Sequence, residues 1–270
     1  MNYLKKLVSQ IAVMLLAINS PSVLASSVSG GGMTLNIDSE LLAAAFHWNN
    51  DPTRPSAWLE EYFDSAQAAS RTSDHLLTDH IIPGVDAISG IGREFTVNES
   101  SAIGLNGRNN DVGNNFTFDA NDLTGTATGV IGLGGAMRFR LNNPFFLNPE
   151  TGEEEGNRAA IGYLSLEYDA NRMDVAAGHS GWTIFNYNSY RADVLDLDNV
   201  LTTISGNSLT LSGDLSLAQG FVHMGGEFGS IVGDFSFQTT VVPVPAAVWL
   251  FASGLVGLFA SGRTNKKVVV

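Results

Sequence analysis

Two patterns of apolar and polar positions divide the chain. Over residues 33–82 apolar side chains recur at helical spacing. Leu41, Leu42, Ala45 and Phe46 share a face behind Asp38 and Ser39, which can cap the run, and Trp58, Leu59, Tyr62, Phe63 and Ala66 follow at i, i+1, i+4, i+5 and i+8. This is the spacing of two short amphipathic helices separated by a turn at Pro52 and Pro55. Beyond Gly84 the period changes to two. Segments 130–141, 161–168, 208–212 and 230–237 alternate large residues with small or polar ones, as half-buried antiparallel strands do. Breakers such as Asn142, Asn143 and Pro144, Gly206 and Asn207, and Gly225 and Gly226 fall between them. The expectation is one mainly β domain over residues 26–242, an antiparallel sandwich or barrel, helical at 33–82 and β at 90–240.

The ends follow neither pattern. Residues 1–25 run from Lys5 and Lys6 through an apolar stretch at 11–18 to Val23, Leu24 and Ala25, the order of a secretory signal peptide cut after Ala25. An uncleaved anchor needs about 20 consecutive apolar residues, and Ser9, Gln10, Asn19 and Ser20 interrupt this run. Residues 246–262 carry no charge and are followed by Arg263, Lys266 and Lys267. A helix of that length rises about 25 Å, close to the thickness of a hydrocarbon core, with Trp249 at one interface and the cations at the other. The expected topology is a C-terminal transmembrane helix with its basic tail, 263–270, in the cytoplasm and the body across the membrane.

The residues leading into that span, Val242, Pro243, Val244, Pro245, Ala246, Ala247, Val248, Trp249, Leu250 and Phe251, resemble the C-terminal sorting signal of the PEP-CTERM class in its Val-Pro-x-Pro-Ala-Ala-Val-Trp-Leu-Phe form. The resemblance implies a Gram-negative bacterium and a precursor held in the inner membrane. It further implies processing by an exosortase-type transpeptidase and delivery to the cell surface or extracellular matrix, often in company with exopolysaccharide. Carried over, Pro243, Pro245, Ala246, Ala247 and Trp249 are the sorting motif, and Arg263, Lys266 and Lys267 the basic stop. Val244 stands where the name-giving motif has Glu, and the tail runs on to Val270 where many members end at an arginine cluster.

Charge sharpens the contrast between ends and body. The whole chain has 14 Lys plus Arg against 27 Asp plus Glu. Residues 26–242 hold all 27 acids, 9 arginines and no lysine, a formal charge of −18. Such a surface argues against nucleic acid, which needs clustered cations. With no cysteine the chain has no disulfide framework, thiolate metal site or cysteine nucleophile.

Candidate chemistry in the body is sparse. Asp193, Asp196 and Asp198 lie on one strand-like stretch with Asp196 and Asp198 on one face, and segments 119–122 and 169–174 have similar alternate-acid spacing; these acids either suit Ca²⁺ outside the cell or form the wet side of a strand and Asx turns. On a helix His75 and Asp79 share a face and could bind a divalent metal with His47 or His179. His179 stands in a glycine-flanked turn, Gly178 to Gly181, without an identifiable catalytic partner, and no Gly-x-Ser-x-Gly elbow occurs. Trp182, Phe185, Tyr187 and Tyr190 either stack sugars on an exposed face or, as is commoner in β domains, fill the core. The leading reading is a non-catalytic exported surface or matrix protein; the alternative is a secreted metal- or carboxylate-dependent hydrolase acting on polysaccharide. Mass spectrometry of the exported protein is expected to find a mature N-terminus at Ser26, whereas Lys5 and Lys6 still attached would make residues 1–25 an anchor.

Overall fold

The computed structural model describes residues 25–48, 53–70, 87–99, 112–142, 158–173, 178–188 and 191–243. The chain divides into two compact units, Ser27–Val242 and a second formed by Met1–Ser26 with Pro243–Val270, which lies almost wholly outside the described residues. The signal peptide, the transmembrane segment 246–262 and the basic tail therefore lie outside them; among the described residues no helix is long and apolar enough to cross a membrane.

The body is a closed antiparallel barrel. Its ten strands are β1 (Ala25–Ile37), β2 (Ala57–Phe63), β3 (Gly90–Val97), β4 (Thr117–Asp119), β5 (Ile131–Leu141), β6 (Arg158–Tyr168), β7 (His179–Asn186), β8 (Ala192–Ser205), β9 (Ser208–Leu217) and β10 (Ile231–Pro243). Eight close the wall in the order β1-β3-β5-β6-β7-β8-β9-β10, with β10 pairing back to β1; β4 lies beside β1 and β2 beside β5. Short helices, α1 (Ser39–Ala44), α2 (Ser65–Ser70), α3 (Leu123–Thr126) and α4 (Gln219–Val222), decorate the connections.

Period-2 alternation decides what faces inward. On β10, Phe235, Phe237, Thr239 and Val241 are buried between exposed Asp234, Ser236, Gln238 and Thr240. On β1, Met33, Leu35 and Ile37 enter the core between Thr34 and Asn36. Trp182, Phe95, Phe116, Phe118 and Phe237, each under 2% exposed, are among the side chains that fill the interior. A membrane barrel carries its apolar band outside; on these strands the apolar side chains point in, packing as the core of a water-facing barrel.

One rim is capped by apolar contacts. Asp38 caps α1 as the sequence suggested, its Oδ1 accepting from the N–H groups of Glu40 and Leu41 at 2.8 and 2.9 Å. Leu42, Ala45 and Phe46 are buried while Leu41 faces solvent. Phe46 meets Phe221 edge-on at 5.9 Å, and Phe221 meets Phe139 at 5.7 Å. Both ends of the body leave from the other rim, where Ser27 Oγ donates to the Val242 carbonyl at 3.4 Å.

The helical reading of 33–82 needs two corrections. Residues up to Ile37 belong to β1, and Ala57–Phe63 form β2, a strand, so that the second helix begins only at Ser65. A bulge in the β2–β5 pairing between Leu59 and Glu61 explains the misleading spacing. Ala57 and Leu59 face the core, the extra residue reverses the alternation, and Tyr62 returns to the core at a separation of three. Tyr62 then wedges against β3: its hydroxyl donates to the Glu94 carbonyl, its ring meets Phe95 edge-on at 5.8 Å, and Arg93 lies over it at 5.2 Å.

The opposite face of β2 buries charge. The Glu60 side chain, 1% exposed, accepts two 2.6 Å bonds from Arg158, with Arg138 at 3.4 Å and Arg140 at 3.8 Å; Arg138 also pairs with Glu61. Removing one member of a buried ion network leaves charges without compensation and costs about 3–5 kcal/mol. Glu60→Ala should therefore lower stability by about that amount in urea unfolding, and Glu61→Ala, at a more exposed pair, by about 1 kcal/mol or less. Equal, small losses for both would show that Glu60 does not organise the three arginines.

Candidate functional site: an acid, histidine and arginine network on the barrel wall

Most of β6 and β7, together with residues 194–198 of β8 and 215–217 of β9, is buried on both faces. Leu195 and Leu197 of β8 enter the core, and the alternate positions Asp196 and Asp198 are nevertheless 0% and 2% exposed. Register places Asp196 opposite Thr183 of β7 and Ser216 of β9, and Asp198 opposite His179 and Asp214. Polar residues from three strands thus form two adjacent rows on one face.

His179 is the centre of the arrangement. Its Nδ1 lies 2.9 Å from Asp198 Oδ1 and its Nε2 3.4 Å from Asp196 Oδ1, with the imidazole 1% exposed. Thr183 Oγ1 donates to Asp196 Oδ1 at 2.8 Å. Arg172, on a 3₁₀ turn at Ala170–Arg172, donates through Nη2 to Asp193 Oδ2 at 2.8 Å and Asp196 Oδ1 at 3.1 Å. Burial pushes the Asp196 carboxyl above the usual carboxylate range, against the opposing pull of the Thr183 hydrogen bond and of the neighbouring His179 and Arg172 side chains. Burial alone would lower the Arg172 guanidinium, and the bonds and charges of Asp193 and Asp196 outweigh it to raise it.

A second group adjoins the first. Glu167 accepts from Ser165 Oγ at 2.6 Å, the Tyr187 hydroxyl at 3.0 Å and Arg191 Nη2 at 2.7 Å. The Arg191 guanidinium stacks 3.7 Å from the Phe185 ring centroid, and Arg172 lies 5.7 Å from the same ring. The two arginines fasten the flanking turns to the wall through one aromatic ring and three carboxylates, those of Glu167, Asp193 and Asp196.

The sequence candidates are distributed as follows. Asp193, Asp196 and Asp198 do come to one region, but Arg172 bridges the first two and His179 separates the last two, so they do not converge on a single point. Among the described residues no group of three or more His, Asp or Glu side chains is arranged to hold a metal ion. Asp119, Asp122 and Asp169 serve local turns, accepting from the N–H groups of Asn121, Gly125 and Asn171. His75, Asp79, His80 and Tyr190 lie outside the described residues. Trp182 is core, 5.2 Å from Tyr168 and 5.5 Å from Phe116, on the face opposite Phe185, so these two do not build one sugar-stacking platform. Of the sorting motif, Pro243 is described, as the last residue of β10.

Sequence reasoning missed the partnership of His179 with Asp196 and Asp198. The available signal was a histidine at a strand start and acids at i and i+2 of the next strand, which antiparallel pairing can bring face to face. Two further residues, Arg172 and Thr183, carried no signal of their own.

No family model matches the chain, and no curated protein matches it. The C-terminal domain of HtaA from Corynebacterium glutamicum is a solved structure similar to it at a TM-score of 0.40 and 13% identity, covering 80% of this chain and 99% of that one. At that distance no residue or role is transferred.

The raised Asp196 carboxyl has a definite sign in stability. A folded-state value above the unfolded one means that this residue stabilises the fold at low pH and loses that contribution as pH rises through the raised value. In Asp196→Asn the amide oxygen still accepts from Thr183 and Arg172 but no longer titrates. Melting in metal-free buffer should show the variant gaining on the wild type as pH rises from the ordinary carboxylate range toward neutrality. A difference that stays flat across that range would remove Asp196 as the titrating group.

Proposed function

We propose that this chain is an exported, non-catalytic protein of the cell surface or extracellular matrix. Its precursor is held in the inner membrane of a Gram-negative bacterium by residues 246–262 and passed to an exosortase-type transpeptidase through Pro243, Pro245, Ala246, Ala247 and Trp249. The observation that carries the reading is the ordered motif and span at the end of the chain, joined to a body with polar side chains on its outer wall and a filled interior.

Two features favour a non-catalytic body over a secreted hydrolase. Acid and base side chains gather at His179, Asp196 and Asp198, all 4% exposed or less, beyond the reach of a polymeric substrate. The wall over β1, β3 and β10 instead carries a groove of about 600 Å³ whose lining includes Thr34, Thr96, Ser236, Gln238 and Thr240. Hydroxyl and amide groups without a cluster of charge suit contact with a polyhydroxylated matrix, which supports exopolysaccharide as the associated material.

Replacing Pro243 and Pro245 by alanine removes the recognition motif, and deleting residues 263–270 removes the stop. Each variant should accumulate as precursor in the inner membrane on fractionation with an antibody to the body. Normal surface delivery of both would sink the sorting reading.

A further inference from the structure

Four buried polar atoms without a hydrogen-bond partner gather at the Asp196 carboxylate: its own Oδ2, and His179 Nε2, Ser216 Oγ and Arg172 Nε from residues that pair with or face Asp196. Buried polar atoms are normally paired, because each one left alone forfeits its hydration with nothing in exchange. Here they occur together, Ser216 directly across β9 from Asp196 and His179 Nε2 3.4 Å from Asp196 Oδ1.

The histidine is oriented in a particular way. With Nδ1 donating to Asp198 at 2.9 Å, Nε2 presents a lone pair toward Asp196. A carboxylate behind an imidazole whose other nitrogen is open is the outer half of many metal sites, where it sets the tautomer and ring direction. The spacing also fits. Bonds of about 2.1 Å from one ion to a nitrogen and an oxygen 3.4 Å apart meet at about 110°, near the tetrahedral angle.

We propose that His179 Nε2 and Asp196, with Ser216 Oγ beside them and water completing the shell, seat one divalent first-row transition ion of the zinc class. Imidazole nitrogen selects such ions, whereas Ca²⁺ takes oxygen ligands, so the donor set changes the ion expected from the acids alone. Asp198 acts as a positioning residue, and Asp193 does not ligate. Arg172 competes for the same carboxylate: its Nη2 is 3.1 Å from Asp196 Oδ1, and its side chain, 25% exposed, remains paired to Asp193 when it withdraws. Metal entry therefore exchanges one positive charge for another at the same carboxylate. The site stands independently of the sorting reading.

The test uses the full-length chain, stripped of metal and titrated with Co²⁺ as a spectroscopic probe, then with Zn²⁺ in competition. One Co²⁺ per chain should give visible ligand-field bands that Zn²⁺ abolishes. His179→Gln should remove the bands, Asp198→Asn should weaken binding about 10–100-fold, and Arg172→Gln should tighten it by removing the competing cation. Opposite shifts from Asp198→Asn and Arg172→Gln cannot arise from general loss of structure, and they decide the matter even if His179→Gln fails to fold. Absence of bands in both the wild type and Arg172→Gln, or bands that persist in a folded His179→Gln, would overturn the proposal.

Discussion

The seam between β1 and β10 closes the sheet on itself, and the rest of the body depends on it. Thr239 Oγ1 donates to the Gly30 carbonyl at 2.6 Å, Asn36 Nδ2 donates to Asp234 Oδ1 at 2.7 Å, and the Asp38 N–H donates to the Val232 carbonyl at 2.9 Å. These contacts join residues about two hundred positions apart, so the chain must order most of its length before they form. Gly31 marks how close the strands come: with φ of +96°, a Cβ there would sit 2.2 Å from the Gln238 carbonyl oxygen. Once the seam is made, no edge of the eight-stranded wall is left for another chain to pair with. The same closure separates an apolar inside from a polar outside and brings both ends of the body to one rim.

Closure also explains where the charges go. A wall curved around a filled core has strands buried on both faces wherever turns fold back over it, and polar side chains at such positions need partners. Glu60 meets three arginines; Asp193 and Asp196 meet Arg172; Asp198 meets His179; Glu167 meets Arg191. Five of the nine arginines of a strongly acidic body are committed to this work. The Glu60 group is tied to β2, which fills the gap between β5 and β3, and the His179 group to the turn at Ala170–Arg172. Both join side chains of neighbouring strands whose register sets which residues meet, the second with that turn folded against them.

The apolar periodicity was a sound guide where pairing is regular. On β10 and the start of β9 the alternation seen in the sequence is the alternation seen in burial, whereas β5 and β6 are buried on both faces along most of their length. It misled at β2, where one bulged residue turned a strand's spacing into a helix's. The open choice between sandwich and barrel turned on whether the first strand meets the last, and β1, with Gly30, Gly31 and Gly32 at its middle, gives little periodic signal of being a strand.

By itself the sequence determined the mainly β class of the body and the positions of several of its turns, because period and the placement of glycine and proline are local properties of the chain. Asp193, Asp196 and Asp198 were visible as acids on one strand, but not what they face. Only the tertiary structure decided that Asp196 meets Thr183, Arg172 and His179, since those contacts depend on which strands are neighbours and in what register. A shift of one residue in that register would turn Asp196 and Asp198 into the core and Leu195 and Leu197 out of it. Apolar burial excludes that alternative, and the hydrophobic face of β8 thereby sets the position of every charge on the other.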